Sequence, residues 1–279
     1  MDERPIGVFD SGLGGLTGLR ELHRLLPGEN LIYFGDTGRV PYGTRSRETI
    51  LKYAEQDARL LLRHDVKAVL SACGTVSSVA GETLRKILPC PYYEIITPAA
   101  KAACAVSRKG KIGVIATPAT INSGRFQAAI EENWPGADVL AKSCPLFVPL
   151  VENGHYLPDD PIVIPTVELY LRPFREWGAE TLILGCTHYP LLMDAIRNYL
   201  GPGVRLINSG AESALALKEE LERKNLLASR ETGEYSFYVT DTVRGFSKVA
   251  EPFLGEPVTK NAEQVSLEWM EQIGEEEYP

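Results

Sequence analysis

The 279-residue chain alternates short apolar segments with longer segments of helical periodicity from its first residues onward. "IGVFD" precedes "LTGLRELHRLL", "NLIYFGD" precedes "RETILKYAEQDARLLLR", and "KAVLSA" precedes "SSVAGETLRKIL". Such alternation is typical of βαβ units, whose right-handed crossovers build a parallel sheet with helices on both faces. The sequence therefore predicts an α/β protein, and its length allows about two domains.

The same order of segments restarts near Lys111, which indicates a weak internal repeat. The strand at Ile6 has a counterpart at Ile112, and Cys73 has a counterpart at Cys186 at nearly the same offset. The repeat predicts two similar doubly wound parallel-sheet lobes related by pseudo-twofold symmetry. We expect residues 1–97 and 208–279 to form a discontinuous first lobe that carries Cys73. Residues 98–207 are expected to form the second lobe, which carries Cys186.

Composition and charge exclude several classes of protein. A net charge of −8 and a pI near 5.2 argue against a nucleic-acid-binding surface, which needs clustered Lys and Arg. No apolar run approaches the roughly 18 residues of a membrane helix, and the start "MDERPIGVFD" lacks the pattern of a signal peptide. We therefore expect a cytoplasmic protein with no membrane or nucleic-acid partner.

Known cofactor and metal motifs do not fit the sequence. The glycine-rich turn "FDSGLGGLTG" departs from the dinucleotide pattern, since Thr17 stands where the third glycine would fall, and no P-loop occurs. The one compact zinc-ligand candidate, Cys186 with His188, has no second pair nearby. The cysteines are odd in number and contain no C-x-x-C, which favours reduced thiols. No cofactor and no metal are predicted.

Two cysteines stand where α/β proteins place their chemistry. Cys73 and Cys186 each follow an apolar strand. Gly74 and Thr75 come after the first cysteine, and Thr187 comes after the second. Open parallel sheets bind ligands at the carboxyl ends of their strands. We expect the active site in the cleft between the lobes, with one thiol on each side. This arrangement suits racemisation, in which a proton leaves one face of a carbon and another arrives at the opposite face.

Each thiol needs groups that position it and tune its pKa. A helix N-terminus or a nearby cation can lower a thiol pKa from about 8.5 to roughly 3.5–7.5. Asp10 is the candidate beside Cys73, and Glu152 and His188 are the candidates beside Cys186. A Cys/His hydrolase built on Cys186 would leave Cys73 without a function. The other three cysteines are predicted to be inert apolar residues: Cys90, Cys104 and Cys144.

Seven motifs together resemble those of the bacterial glutamate racemases, within the cofactor-independent aspartate/glutamate racemase superfamily. They span nearly the whole chain and read "FDSGLGGLTGL", "VPYGTRS", "SACGTVSS", "TPAT", "VPLVENG", "GCTHYPLL" and "FYVTD". The resemblance implies a two-lobed isomerase that interconverts L- and D-glutamate with two catalytic cysteines and supplies D-glutamate for peptidoglycan. It also implies a homodimer.

The resemblance assigns roles to particular residues. It implies catalytic roles for Cys73, Cys186, Asp10, Glu152 and His188. The implied substrate-binding residues are Asp10, Ser11, Pro41, Tyr42, Gly43, Gly74, Thr75, Thr117, Thr120, Thr187 and His188.

One position departs from the family pattern. The family usually has asparagine after the first cysteine, and this chain has Gly74. Loss of that amide is expected to weaken substrate binding by about 1 kcal/mol unless water or another side chain replaces its hydrogen bond. Two alternatives therefore stay open: a racemase of aspartate or another acidic amino acid, and a non-catalytic binding protein on the same fold.

Overall fold

The computed structural model describes residues 1–258 and 261–275, and it contains two parallel sheets. The six-stranded sheet has the order β10-β9-β2-β1-β3-β4, and the four-stranded sheet has the order β6-β5-β7-β8. The predicted α/β class with two parallel-sheet lobes is confirmed. The strands are β1 Ile6–Asp10, β2 Leu31–Gly35, β3 Ala68–Ser71, β4 Tyr92–Glu94, β5 Lys111–Ala116, β6 Asp138–Ser143, β7 Thr181–Leu184, β8 Arg205–Asn208, β9 Tyr235–Val239 and β10 Ala262–Gln264.

The two sheets repeat one strand order. β2-β1-β3-β4 in the first sheet corresponds to β6-β5-β7-β8 in the second, and every pairing in both is parallel. Cys73 and Cys186 therefore follow equivalent strands, β3 and β7. The central strands are buried along their whole length, which explains why they read as continuous apolar runs.

Helices connect the strands, and none of those described is long and apolar enough to cross a membrane. Their bounds are α1 Leu16–Leu25, α2 Arg47–Leu62, α3 Gly74–Val79, α4 Gly81–Ile87, α5 Ile96–Val106, α6 Pro118–Asn122, α7 Arg125–Asn133, α8 Phe147–Glu152, α9 Val163–Trp177, α10 Met193–Leu200, α11 Ser209–Arg223, α12 Val243–Leu254 and α13 Leu267–Glu275.

Local structure differs from the sequence pattern in two places. The helical segment after Cys73 is divided at Ala80, whose backbone separates α3 from α4. Cys186 is followed by a short 3₁₀ helix, Tyr189–Leu192, before α10 begins. The two cysteines therefore follow equivalent strands, but the helices after them differ: α3 follows Cys73, and a 3₁₀ helix follows Cys186.

The last part of the chain returns to the first sheet. β9 pairs with β2 in the register Leu31 to Tyr235, and β10 then pairs with β9. The second sheet is thus inserted between two parts of the first. The exact residue bounds of the two lobes stay a prediction.

A buried ion pair fixes the connection that leads back to β9. Lys67 Nζ lies 2.6 Å from Glu29 Oε2, and both side chains are almost inaccessible to solvent. The same ammonium group donates to the carbonyl oxygens of Asp2 and Leu226 at 2.7 and 2.8 Å. Glu29 also accepts a hydrogen bond from the Ala228 N–H at 2.9 Å. One ion pair therefore joins the N-terminus, the turn between α1 and β2, the residue before β3 and the returning segment.

Lys67→Met is expected to lower the free energy of unfolding by about 3 to 5 kcal/mol, because it leaves the Glu29 carboxylate buried without its partner. Urea unfolding measures the change. Lys52→Met is the matched control, since Lys52 pairs with Glu271 at the surface with both side chains about half exposed. That variant should lose roughly 0 to 1 kcal/mol. Equal losses in the two variants would contradict a special role for the buried pair.

Candidate active site

A cavity of about 360 Å³ lies between the two sheets, in the size range of small-molecule sites. Its lining comes from segments that follow β1, β2 and β3 in the first sheet and β5, β6 and β7 in the second. Parallel strands bring their carboxyl ends to one edge, so each sheet contributes a set of loops to the same space. Most of the predicted site residues line it: Ser11, Pro41, Tyr42, Gly43, Cys73, Gly74, Thr75, Thr117, Glu152, Cys186, Thr187 and His188.

Two predicted residues lie behind this lining. Asp10 is fully buried and accepts hydrogen bonds from the Gly12 N–H at 2.9 Å and from Thr187 Oγ1 at 3.4 Å. Thr120 is also fully buried, and its hydroxyl lies 2.9 Å from that of Thr117. Both residues therefore contact residues that line the cavity, and they do not line it themselves.

Cys73 lies in an environment that favours the neutral thiol. Its Sγ donates to Ser11 Oγ at 3.5 Å. Burial, together with the charge of Asp10, raises the pKa of Cys73 to about 12, although hydrogen bonds from Ser11 and from the Val76 N–H act in the opposite direction. Burial and the Asp10 charge therefore outweigh the lowering of this thiol pKa that the start of a helix can produce.

Cys186 lies beside a positively charged ring. Its Sγ is 3.9 Å from His188 Nδ1, and His188 Nε2 is 3.0 Å from Glu152 Oε1. Burial by itself would lower the pKa of His188. Hydrogen bonds with Cys186 and Glu152 outweigh that effect and raise the pKa to about 10. These interactions favour the imidazolium form of the ring, and the two sulfur atoms have different electrostatic surroundings.

Hydroxyl groups join the two halves at the base of the cavity. Thr17 Oγ1 donates to the Thr187 carbonyl at 2.9 Å, and Thr75 Oγ1 lies 3.0 Å from Thr117 Oγ1. A side chain on Gly14 would collide with Thr187 and with the His188 ring. The first half therefore holds the second-half segment that carries Cys186 by direct contact.

A buried polar network holds the loop after β2. The Tyr42 hydroxyl donates to Asp57 Oδ2 at 3.0 Å and also contacts Asp36. Arg39 bridges the two carboxylates, with N–O distances of 2.6 Å to Asp36 and 3.2 Å to Asp57. Thr240 Oγ1 donates to Asp36 Oδ1 at 2.8 Å. Burial and the charge of Asp36 raise the pKa of Asp57, and the network fixes the cavity wall that contains Pro41, Tyr42 and Gly43.

A sequence model described as Asp/Glu/hydantoin racemase matches residues 19–217. The chain belongs to this family. Membership of this family confirms the predicted class of enzyme, an isomerase of the amino-acid racemase type. A glutamate racemase from Geobacter metallireducens is 44% identical over 269 residues, which are 96% of this chain and 98% of that protein.

Solved structures of racemases share the whole fold. A Francisella tularensis glutamate racemase in complex with D-glutamate superimposes with a TM-score of 0.89 at 40% identity, over 96% of this chain and 100% of that one. A glutamate racemase isoform from Bacillus anthracis gives a TM-score of 0.91 at 37% identity, over 96% and 99% of the two chains. The resemblance to glutamate racemases is therefore confirmed.

Several residues that sequence reasoning missed lie in the wall of this racemase's cavity or directly behind it. Cys144, interpreted as inert, lines it at the carboxyl end of β6, a position that could have indicated a place in the site. Val148 and Pro149 also line it, from inside α8. Phe253 of α12 packs edge-to-face on His188, with ring centroids 5.4 Å apart. Within residues 1–258 and 261–275, no group of three or more His, Cys, Asp or Glu side chains could hold a metal ion.

Glu152→Gln is expected to lower the pKa of His188 from about 10 by roughly one unit or more, because it removes the carboxylate beside Nε2. NMR titration of the imidazole signals measures the shift. Since the folded-state pKa lies above the ordinary histidine pKa of 6.5, the stability that this charge contributes is complete below that pH. It is lost as the pH rises through about 10.

Asp160→Asn provides the control for this titration. Asp160 accepts from His155 Nδ1 at 2.9 Å in the loop that follows α8, so its loss should leave the His188 signal unchanged. A His188 titration that is the same in Glu152→Gln and in the wild type would contradict the assigned origin of the imidazolium.

Proposed function

We propose that this protein is a glutamate racemase that uses Cys73 and Cys186 as its two bases, without cofactor or metal. The observation that carries the proposal is one cavity lined by a cysteine from each half of the molecule, after equivalent strands. The family, and relatives named glutamate racemase that match over nearly the whole chain, support glutamate as the substrate.

The different surroundings of the two sulfurs suggest their starting states. Cys73, whose pKa lies near 12, holds the proton that is to be delivered. Cys186 removes the Cα proton from one face of the bound amino acid and leaves a carbanion. Cys73 then donates its proton to the opposite face. After the step Cys186 is a thiol and Cys73 is a thiolate, and the reverse reaction uses the same groups with exchanged roles.

His188 assists this exchange as a neighbour of Cys186. Its imidazolium, 3.9 Å from the sulfur, balances negative charge that forms there, and Glu152 orients the ring. Phe253 covers the ring edge and helps to exclude water. On the other side, Ser11 accepts from Cys73 and is placed to orient its proton.

Neutral hydrogen-bond donors dominate the rest of the proposed site. The lining contains the hydroxyl groups of Ser11, Thr75, Thr117 and Thr187, and none of the lining residues is a lysine or an arginine. These groups suit the carboxylate and amino groups of an acidic amino acid. Pro41, Tyr42, Gly43 and Gly74 shape the wall. Asp10 and Thr120 act as positioning residues, since they hold Thr187 and Thr117.

Circular dichroism of L-glutamate and of D-glutamate, each incubated with the protein and no added cofactor, tests the function. The wild type should convert both to the same mixture. Cys73→Ala and Cys186→Ala should each lower racemisation by about 10²-fold or more, since each removes a required base. Cys104→Ala is the control, because Cys104 lies away from the cavity with its Sγ beside the Ile130 carbonyl, and it should keep wild-type turnover.

Near-normal turnover by either cavity-cysteine variant would refute the two-base assignment. Faster turnover of D-aspartate than of D-glutamate would assign the substrate differently. Binding of glutamate without exchange of its Cα proton in deuterated solvent would identify a non-catalytic binding protein.

The proposed enzyme works in the cytoplasm, supplies D-glutamate for peptidoglycan, and forms a homodimer. Five of the large hydrophobic side chains exposed in the described part of the chain fall within one stretch of the second half, which favours contact with a second copy. They are Leu146, Leu157, Ile162, Ile164 and Leu169.

Leu169→Glu is expected to convert the dimer to a monomer, because it places a charge on the most exposed of these five side chains. Light scattering coupled to gel filtration measures the mass. Leu215→Glu, which alters another exposed leucine on α11, should leave the dimer intact. A wild-type protein with the mass of one chain would contradict the proposed assembly.

A further inference from the structure

We propose that Gln56 is a positioning residue through which the C-terminal helix α13 holds residues 41–43 in the wall of the cavity. The inference rests on the proposed racemase function of that cavity. α13 lies beyond residues 19–217, which the racemase family model matches, so membership of the family assigns it no role. The role follows from a series of buried contacts that leads from α13 through Gln56 and Arg39 to Tyr42.

The first contact of this series joins Gln56 to Arg39. Arg39 Nη1 donates to Gln56 Oε1 at 2.5 Å, and only 1% of Gln56 and 7% of Arg39 is exposed to solvent. The other guanidinium nitrogens donate to Asp36 and Asp57. Arg39 Cζ also lies 4.1 Å from the centre of the Tyr53 ring. A planar guanidinium that is held by three acceptors and covers a ring has one orientation, and Gln56 supplies the amide among these acceptors.

The next contacts lead from Arg39 to the cavity wall. Asp57 Oδ2 accepts from the Tyr42 hydroxyl at 3.0 Å, and Asp36 contacts the same hydroxyl. Tyr42 is the middle one of residues 41–43, all of which line the cavity. A change in the position of the Arg39 guanidinium must therefore displace the carboxyl groups that hold Tyr42.

α13 contacts Gln56 from the opposite side. Only the amide oxygen can accept from a guanidinium, so the amide nitrogen is directed away from it. A Cβ atom on Gly274 would lie 2.8 Å from Gln56 Nε2 and 3.0 Å from its Cγ, so the backbone of α13 lies directly against the amide. Met270 and Ile273 of the same helix are buried in the apolar cluster that contains Tyr42. Gln56 is therefore held between the guanidinium and α13.

These contacts should affect substrate binding more than proton transfer. The one titratable group of residues 41–43 is the Tyr42 hydroxyl, which is engaged by the two carboxyl groups. Cys73 and Cys186 are held separately, by the start of α3 and by the segment after β7. Displacement of residues 41–43 should therefore raise KM and leave kcat nearly unchanged. Partial unfolding would lower kcat and leave KM unchanged, because only the concentration of active enzyme falls.

Gln56→Leu tests the contact with Arg39, because leucine has a similar volume and no hydrogen-bond acceptor. We expect the KM for glutamate to rise about tenfold and kcat to stay within about twofold of the wild-type value. Circular dichroism measures both constants. Gln127→Leu is the matched control, since Gln127 lies on α7 and does not line the cavity, and it should keep both wild-type values. A wild-type KM in Gln56→Leu, or a fall in kcat alone, would overturn the inference.

Gly274→Ala tests the same contacts from α13. Its methyl group would collide with the Gln56 amide, which must then leave its place beside Arg39. Alanine favours a helix more than glycine does, so α13 itself should not be weakened. The KM for glutamate should rise about threefold or more, with kcat unchanged.

Gly81→Ala is the matched control for this variant. Gly81 is also a helical glycine, and a Cβ atom there would find its nearest neighbour, Tyr92 Oη, at an ordinary 3.7 Å. Gly81→Ala should keep the wild-type KM and kcat. A wild-type KM in Gly274→Ala would show that α13 does not act through Gln56, and it would overturn the inference.

Crystal structures of Gln56→Leu and Gly274→Ala supply a readout that does not depend on activity. The Tyr42 ring should be displaced from its wild-type position in both variants, and an unchanged ring position in either would also overturn the inference. Absence of racemisation by the wild type would refute the proposed function alone, and the position of Tyr42 would still test the link between α13 and the cavity wall.

Discussion

The site depends on direct contact between the two halves through their smallest groups. Gly74 meets Gly185 at the backbone, Gly14 lies against Thr187, and the Thr17 hydroxyl donates to the Thr187 carbonyl. Contacts of this kind involve few rotatable bonds, so they define a separation more tightly than long side chains would. The cavity, the two cysteines and the surrounding hydroxyl groups take their relative positions from them.

The two halves repeat a strand order but differ in charge. Cys73 lies beside a buried carboxylate and a hydroxyl, which favour a neutral thiol. Cys186 lies beside an imidazolium that Glu152 holds in place. The proposed mechanism starts each turnover with one thiol and one thiolate, and it needs such a difference between two halves that share a strand order. The repeated scaffold thus supplies two equivalent positions, and the side chains around them make the positions chemically distinct.

Sequence reasoning predicted the features that depend on local pattern. The strands that end before Cys73 and Cys186 are apolar because they are buried, and their alternation with helices was sufficient to predict two parallel sheets. Most of the site follows from that prediction, since equivalent strand ends must lie at the cleft. Features that arise only from tertiary contact were missed. The thiol pKa of Cys73 depends on burial, and the place of Cys144 and Phe253 depends on which elements pack across the cavity.

The insertion of the second sheet within the first has a mechanical consequence. The chain crosses between the halves twice, once through α5 and once through α11, and the Ser213 hydroxyl on α11 donates to the Glu94 carbonyl beside the first crossing at 2.9 Å. Two backbone connections that contact each other therefore join the halves, in addition to the side-chain contacts across the cleft. A relative movement of the two sheets must change the backbone of both crossings together.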